Sequence, residues 1–341
     1  MIDMQPSPEQ QQIIDSIHSW LNDNLPYERF RPDPQPVPNR DRDRWAALGE
    51  LGVFGIGVSE DQGGIGYGLI EEVLVARELG RSLVSPAALS TMVAVHVAAA
   101  LGRRDLVDAL VAGSLVVAPA LGLTPEAGSA AGEYHLIDAD GVELTLVVAQ
   151  AGAGLVAASE WLERREIDSI DTSLVLERAR LDQPESWVED ASIARRAHLL
   201  VSAFMAGMAE AALEDSVSYS NIREQFGQPI GAFQAMQHRC ADMVARASAA
   251  WNLTIFAALA EVDGAADAQF QVCAARVIAA DCAFKNGAVN IQNHGGIGFT
   301  GEHFAHLFVK RTHVLDRFDG DIVVQKKRLL AATAPSFEDV A

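Results

Sequence analysis

Residues 223–234 read Arg-Glu-Gln-Phe-Gly-Gln-Pro-Ile-Gly-Ala-Phe-Gln, and the segments on either side decide what this stretch joins. Upstream, from Ala197, the apolar residues Leu199, Leu200, Ala203, Phe204, Gly207, Ala211 and Leu213 recur at helical spacing. A long apolar helix therefore leads into the stretch. Gly227 and Pro229 are predicted to end that helix, glycine as a C-terminal residue and proline as one that cannot continue it. A second amphipathic helix restarts near Phe233. Arg223 then stands at a helix end, beside a turn, with a fork of donors suited to a phosphate.

Downstream the chain stays helical and rich in alanine. A helix over about Asp267 to Asn290 carries Ala274, Ala275, Ala279, Ala280, Ala283 and Ala288, small side chains that let helices approach closely, as in a four-helix bundle. It ends at His294-Gly295-Gly296-Ile297-Gly298. The glycines follow a helix, so they read as a C-cap and close-approach turn, unlike a phosphate-binding loop that opens one. One further helix is expected from Glu302 through Leu307 and Val314 to about Leu330.

Upstream of Pro184 the period changes. Short β-like runs at Leu115–Ala118, Tyr134–Ile137, Val142–Val148, Leu155–Ala157 and Leu174–Leu176 predict a small antiparallel sheet or barrel. Before them come helices. Ser7-Pro8-Glu9-Gln10 is a capping-box start, residues 25–41 read as a loop, and apolar helices run through Trp45, through Val73 and Leu79, and from Met92 to Leu101. His96 in the last of these reads as a core histidine. The turn Asp61-Gln62-Gly63-Gly64-Ile65-Gly66 follows a helix, so it lacks the strand that must precede a dinucleotide loop. The expected division is 1–113 helical, 114–184 β and 185–341 helical bundle.

With 341 residues, 49% of them hydrophobic, the chain can bury one large core or two to three smaller ones. A net charge of −20 argues against nucleic acid or an anionic membrane surface as partner. Cys240, Cys273 and Cys282 lack paired spacing, which points to reduced thiols. No signal pattern or uninterrupted membrane-spanning apolar run is read, and the cytoplasm is the expected location.

Arg-x-x-Phe-Gly-x-Pro-Ile followed by Phe-Gln, Ala241-Asp242-Met243, and Gln292-Asn293-His294-Gly295-Gly296-Ile297-Gly298-Phe299-Thr300 resemble the C-terminal domain of the acyl-CoA dehydrogenases. The N-terminal pattern of Trp, Leu-Gly, a Gly-Gly turn, Glu-Leu-Gly-Arg and a Pro loop resembles that family's helical acyl-pocket domain. The resemblance implies a mainly α fold with a small middle β-domain, FAD as cofactor and an acyl-CoA substrate. It places the contacts to the adenine and pyrophosphate of a neighbouring subunit's FAD on Arg223, Gln225, Phe226, Gln292 and Gly296.

The family's flavin-ring contacts are altered here. Its Thr-Glu-Pro segment leading to Gly-Ser is represented by Leu123-Thr124-Pro125-Glu126-Ala127-Gly128-Ser129, with the order changed. No Trp-Ile-Thr occurs, the β segment is shortened, and Trp161 lies among charges. The family places its base, a carboxylate that takes the α-proton while FAD accepts the β-hydride, at one of two positions. The first falls on Ala197, followed by His198; the second, in Phe318-Asp319-Gly320-Asp321, falls on Asp319, the only candidate base. Asp321 replaces a threonine that touches the flavin. The resemblance thus implies a β-type subunit completing the FAD site of a homologous larger partner in an α2β2 assembly, as in steroid-type members, whose acyl groups are bulky. The alternatives are a self-sufficient homo-oligomer using Asp319 as base, and a flavin-free acyl-CoA-binding or scaffold protein. Glu302, His303 and His306 resemble the family's Thr-x-Glu-His, and no metal is assigned to them.

Overall fold

The computed structural model describes residues 4–30, 40–123 and 130–335. The altered Thr124–Ser129 motif and part of the expected 25–41 loop lie outside the described residues. Ser7 caps α1 (Pro8–Asn24) as the sequence predicts: its hydroxyl accepts from the Gln10 N–H at 3.2 Å, and Gln10 Oε1 accepts from the Ser7 N–H at 2.8 Å. Then follow α2 (Trp45–Glu50), α3 (Leu69–Arg81), α4 (Ala87–Ala100) and α5 (Arg104–Val111). Every residue of α4 from Ala87 to Val95 is buried, the position a helix apolar all round must take.

Seven strands come next: β1 (Val117–Gly122), β2 (Gly132–Ile137), β3 (Leu144–Ala149), β4 (Gly152–Ala157), β5 (Leu162–Ile167), β6 (Leu176–Leu181) and β7 (Ser186–Val188). They form one sheet in the order β5-β6-β2-β1-β3-β4-β7. Every junction is antiparallel except β1 with β3, which is parallel. Sequence periodicity missed β5 and β7. Both are edge strands, and β5 reads Leu-Glu-Arg-Arg-Glu-Ile with largely exposed side chains; charge on an edge blocks pairing with another chain and erases the apolar alternation.

The remaining chain is helical: α6 (Ala191–Ile222), a short hairpin β8 (Glu224–Gln225) and β9 (Gln228–Pro229), α7 (Gln234–Val262), α8 (Ala268–His294), the single turn α9 (Gly296–Phe299), α10 (Ala305–Leu315) and α11 (Ile322–Ala331). α3 lies on α6 with backbones in contact. A Cβ added to Gly80 would stand 2.0 Å from the Phe204 carbonyl oxygen, and one on Gly207 2.0 Å from that of Arg77. Only glycine permits this approach, which brings Arg77 into a two-pronged pair with Glu210 at 2.6 and 2.9 Å.

Two sequence expectations change. The helix before Arg223 ends at Ile222, and Gly227 belongs to the hairpin turn that follows instead of capping the helix. The single helix expected over Glu302–Leu330 is broken. Asp319 and Gly320 take φ of 46° and 94°, and Asp321 caps α11 by accepting from the N–H groups of Val323 and Val324 at 3.0 and 3.1 Å. Here local turn and capping chemistry overrides the helical period.

A buried arginine ties the helices to the sheet. Arg311, on α10, donates to Asp171 Oδ2 (2.6 Å), to Ser173 Oγ (2.9 Å) and to the carbonyls of Leu83 and Val84 (3.1 and 2.8 Å). Asp138, in turn, accepts from the Ser85 hydroxyl at 2.6 Å. Buried charge held by this many partners is satisfied; removing one partner would leave the other stranded. Both α6 and α7 are long and apolar enough to cross a bilayer, against the expectation of no membrane-spanning apolar run. In α6, 83% of the most apolar stretch is buried inside the molecule, against 39% in α7.

Candidate functional site: the two ends of helix α6

The first group of residues gathers at the C-terminal end of α6. Phe226 and Gly227 form the two-residue turn of the β8–β9 hairpin, with φ of 55° and 81°, the positive values that a tight primed turn requires. A phenylalanine there is strained, and its ring is 93% exposed, edge-on to Phe233 at 6.1 Å. Arg223 and Gln225 are exposed beside it. The Arg223 N–H donates to the Tyr219 carbonyl at 2.9 Å, and the Arg223 carbonyl accepts from Ile230 at 2.8 Å.

α8 brings the second motif to the same end. Asn286 Nδ2 donates to the Ala209 carbonyl at 2.9 Å, the Ser216 hydroxyl donates to Asn290 at 2.7 Å, and His294 stacks on Tyr219 at 4.2 Å. The contacts advance together along both helices, so α6 and α8 run in the same direction and finish side by side. Gln292, Gly295 and Gly296 are exposed, and a Cβ on either glycine would meet nothing within 4 Å. Gly298 is the close-approach residue: its Cβ would lie 2.8 Å from the Ile291 carbonyl oxygen. The fold therefore collects Arg223, Gln225, Phe226, Gln292 and Gly296 at one open end.

Asp319 lies elsewhere. Its carboxylate is buried and fully engaged. Arg328 donates to both oxygens, at 2.7 Å to Oδ2 and 3.1 Å to Oδ1, and His198 Nε2 lies 3.0 Å from Oδ2. Its backbone carbonyl accepts from Gln325 and Arg328, each at 2.8 Å. Burial pushes the Asp319 carboxyl up, but the His198 hydrogen bond and the Arg328 charge outweigh it and hold the group below the usual carboxylate range. A carboxylate so held is a poor proton acceptor. Burial also depresses the His198 imidazolium against the pull of Asp319. The neutral ring donates Nε2–H and leaves Nδ1 buried without a partner. His198 sits near the start of α6, and 25 residues of helix at about 1.5 Å each put Arg223 roughly 37 Å away.

Ala197 is buried and brings no ionisable group to the other base position. His96 is half-buried, not a closed core residue, and bonds Glu72 at 2.6 Å; Arg196 is the second partner of that wholly buried carboxylate. Trp161 is core: its Nε1 donates to Thr145 Oγ1 at 2.9 Å, and its ring packs edge-on to Tyr134. A cleft of about 450 Å³ opens between α1, α3 and α7, walled by Ile14, Leu74, Arg77, Trp251 and Ile255; neither end group lines it. Sequence reasoning missed the partners of Asp319. Arg328 lies nine positions on, across a helix break, and His198 lies 121 positions back. No periodic signal links them.

The acyl-CoA dehydrogenase N-terminal domain family matches residues 7–106, and the acyl-CoA dehydrogenase C-terminal domain family matches residues 194–333. A curated relative, the acyl-CoA dehydrogenase IpdE2 of Mycobacterium tuberculosis, is 31% identical over 91% of this chain and 92% of its own. Among solved structures, a glutaryl-coenzyme A dehydrogenase in complex with glutaryl-CoA superposes with a TM-score of 0.83 at 18% identity, covering 96% of both chains. The ChsE4-ChsE5 complex from Mycobacterium tuberculosis gives 0.81 at 22% identity, covering 98% of this chain and all of that one. This chain belongs to the acyl-CoA dehydrogenase family, whose members are FAD-dependent oxidoreductases.

Proposed function

We propose that this chain is the β-type subunit of an α2β2 acyl-CoA dehydrogenase, in which it completes the flavin site of a larger homologous partner. One observation carries the reading: the nucleotide-tail residues are exposed, with Gln225 alone of them lending a side-chain donor to a neighbouring carbonyl at 2.7 Å, while the candidate base is buried and saturated. Bound FAD supplies the hydride acceptor for a reaction in which a base removes the α-proton. In that site Arg223 would offer its planar fork to the pyrophosphate. Gln225 and Gln292 would add amide donors. Phe226 would wall the adenine, and Gly296 would leave its backbone open to close approach. These residues are about 37 Å along α6 from Asp319, so the two groups serve different places. The half-covered apolar α7 and the open end of the bundle both suit a partner subunit. The likeness to one member of a complex of two differently named proteins supports the same reading.

The test is the visible spectrum of the purified chain, alone and co-expressed with a full-length homologue. The chain alone should be colourless and the pair yellow and active on an acyl-CoA. Stoichiometric FAD on the isolated chain, with turnover abolished and flavin retained in Asp319→Ala, would establish the self-sufficient homo-oligomer instead. Acyl-CoA binding without dehydrogenation in any pairing would establish the flavin-free module.

A further inference from the structure

We infer that Asp215, His294 and His303 form a binding site for a divalent late transition-metal ion, with Zn2+ the ion their nitrogen and oxygen donors suit. The site is independent of the flavin reading. It joins α6, α8 and the segment before α10, just inside the Gly295-Gly296 turn. Candidate ligand atoms of the three side chains lie within 4.8 Å of one another. The sequence spacing of Glu302, His303 and His306 suggested no metal; the fold keeps His303 from that trio and supplies the other two ligands from distant helices.

The state of His294 points to a ligand. Its ring is buried, and Nδ1 lies 2.9 Å from the Asn290 carbonyl, an acceptor, so Nδ1 carries the proton. Nε2 is then the lone-pair nitrogen. It is buried, has no hydrogen-bond partner, and faces Asp215 Oδ2 at 3.6 Å. A nitrogen lone pair and a carboxylate oxygen aimed at each other repel unless a proton or a metal ion lies between them, and the metal is the alternative that also engages His303. Zinc bonds of about 2.0–2.2 Å set tetrahedral ligand atoms about 3.4 Å apart, close to the gap already present.

The supporting contacts are those of a metal ligand set. A histidine whose far nitrogen donates to a backbone carbonyl is fixed in tautomer and orientation. Asp215 Oδ2 accepts from Asn290 Nδ2 at 2.8 Å. The His294 ring is held between Tyr219 at 4.2 Å and His303 at 4.3 Å. Nδ1 of His303 accepts the Ala305 N–H at 3.1 Å. Whichever nitrogen of His303 ligates, that bond is given up on loading: a ligating Nδ1 spends its lone pair, and a ligating Nε2 moves the ring proton to Nδ1. Imidazole and carboxylate ligands suit zinc and its late first-row neighbours, and disfavour calcium and magnesium, which take oxygen alone.

The test uses the full chain, stripped with a chelator and reloaded with Zn2+, or with Co2+ as a coloured probe. Expected are stoichiometric Zn2+ retained through gel filtration, visible d–d bands of a low-coordinate Co2+ adduct, and a rise in Tm on loading. Asp215→Asn and His303→Phe should weaken Zn2+ binding at least tenfold and abolish the Tm rise, while His306→Asn changes neither. His303→Phe keeps a ring in the stack, so it carries the test should Asp215→Asn fail to fold. The proposal is overturned by substoichiometric Zn2+ in the wild type, by equal retention in wild type and variants, which marks adventitious surface binding, or by a His294 imidazolium at neutral pH whose nitrogen resonances ignore Zn2+.

Discussion

The two ends of α6 treat charge in opposite ways. Near its start, Asp319 is buried with both oxygens held by Arg328 and one also by His198, so its charge is spent on holding α11 against α6. At its C-terminal end, Arg223 and its neighbours are exposed, and Phe226 is held in a strained left-handed conformation with its ring in solvent. The first arrangement engages both carboxylate oxygens within this chain. The second costs this chain stability, and such strain persists where a partner or ligand makes use of it.

The contrast breaks most readily at Asp319. Replacing it with Ala strands the Arg328 guanidinium and should lower unfolding free energy by about 3–5 kcal/mol, read from urea denaturation. An Asp319→Leu, Arg328→Met pair should recover most of that loss; no recovery would mean that the ion pair is not what holds α11. At the other end, Arg223→Ala should leave the isolated chain within about 0.5 kcal/mol of wild type, yet weaken FAD retention by the assembled complex at least tenfold. Unchanged flavin content would remove Arg223 from the site.

A third measurement sharpens the buried end by pH. His198 is depressed, so between its folded and unfolded pKa values the unfolded chain binds more protons. Stability should therefore fall as pH drops below about 6.5, by at most about 1.4 kcal/mol per unit. Asp319 is also depressed, so its contribution is present above the normal carboxylate range and is lost as pH falls below about 4. Denaturation curves of wild type and His198→Gln at neutral and mildly acidic pH should diverge in the wild type only. The smallest effect is at the turn: Phe226→Gly should stabilise the isolated chain by about 1 kcal/mol by relieving positive φ while weakening the complex. Loss of stability in the isolated chain would show that Phe226 supports its own fold.

Much of this architecture is legible in local sequence. The capping box at Ser7 and Gln10, the apolar run of α4 and the Ala-rich α8 declare themselves because helix periodicity and capping act within a few residues. The break between α10 and α11 is hidden in the sequence because Gly320 and Asp321 are weak signals inside a long apolar period. β5 was missed because an edge strand's charges conceal its pairing. Of the candidate site residues, those near Arg223 and Gly296 were readable as motifs. Their gathering at one end was not, since it depends on α6 and α8 running in the same direction.

By itself the sequence determined most of the helices and the family motifs that follow them, since these are written in neighbouring residues. Tertiary structure alone decided which charges are spent and which are free. Asp319 is held below the usual carboxylate range only when His198 and Arg328 close on it, and His294 acquires a facing carboxylate only when Asp215 arrives from another helix. Proton affinity and ligand affinity depend on distance in space and on exclusion of water, and neither is a property of positions along a chain.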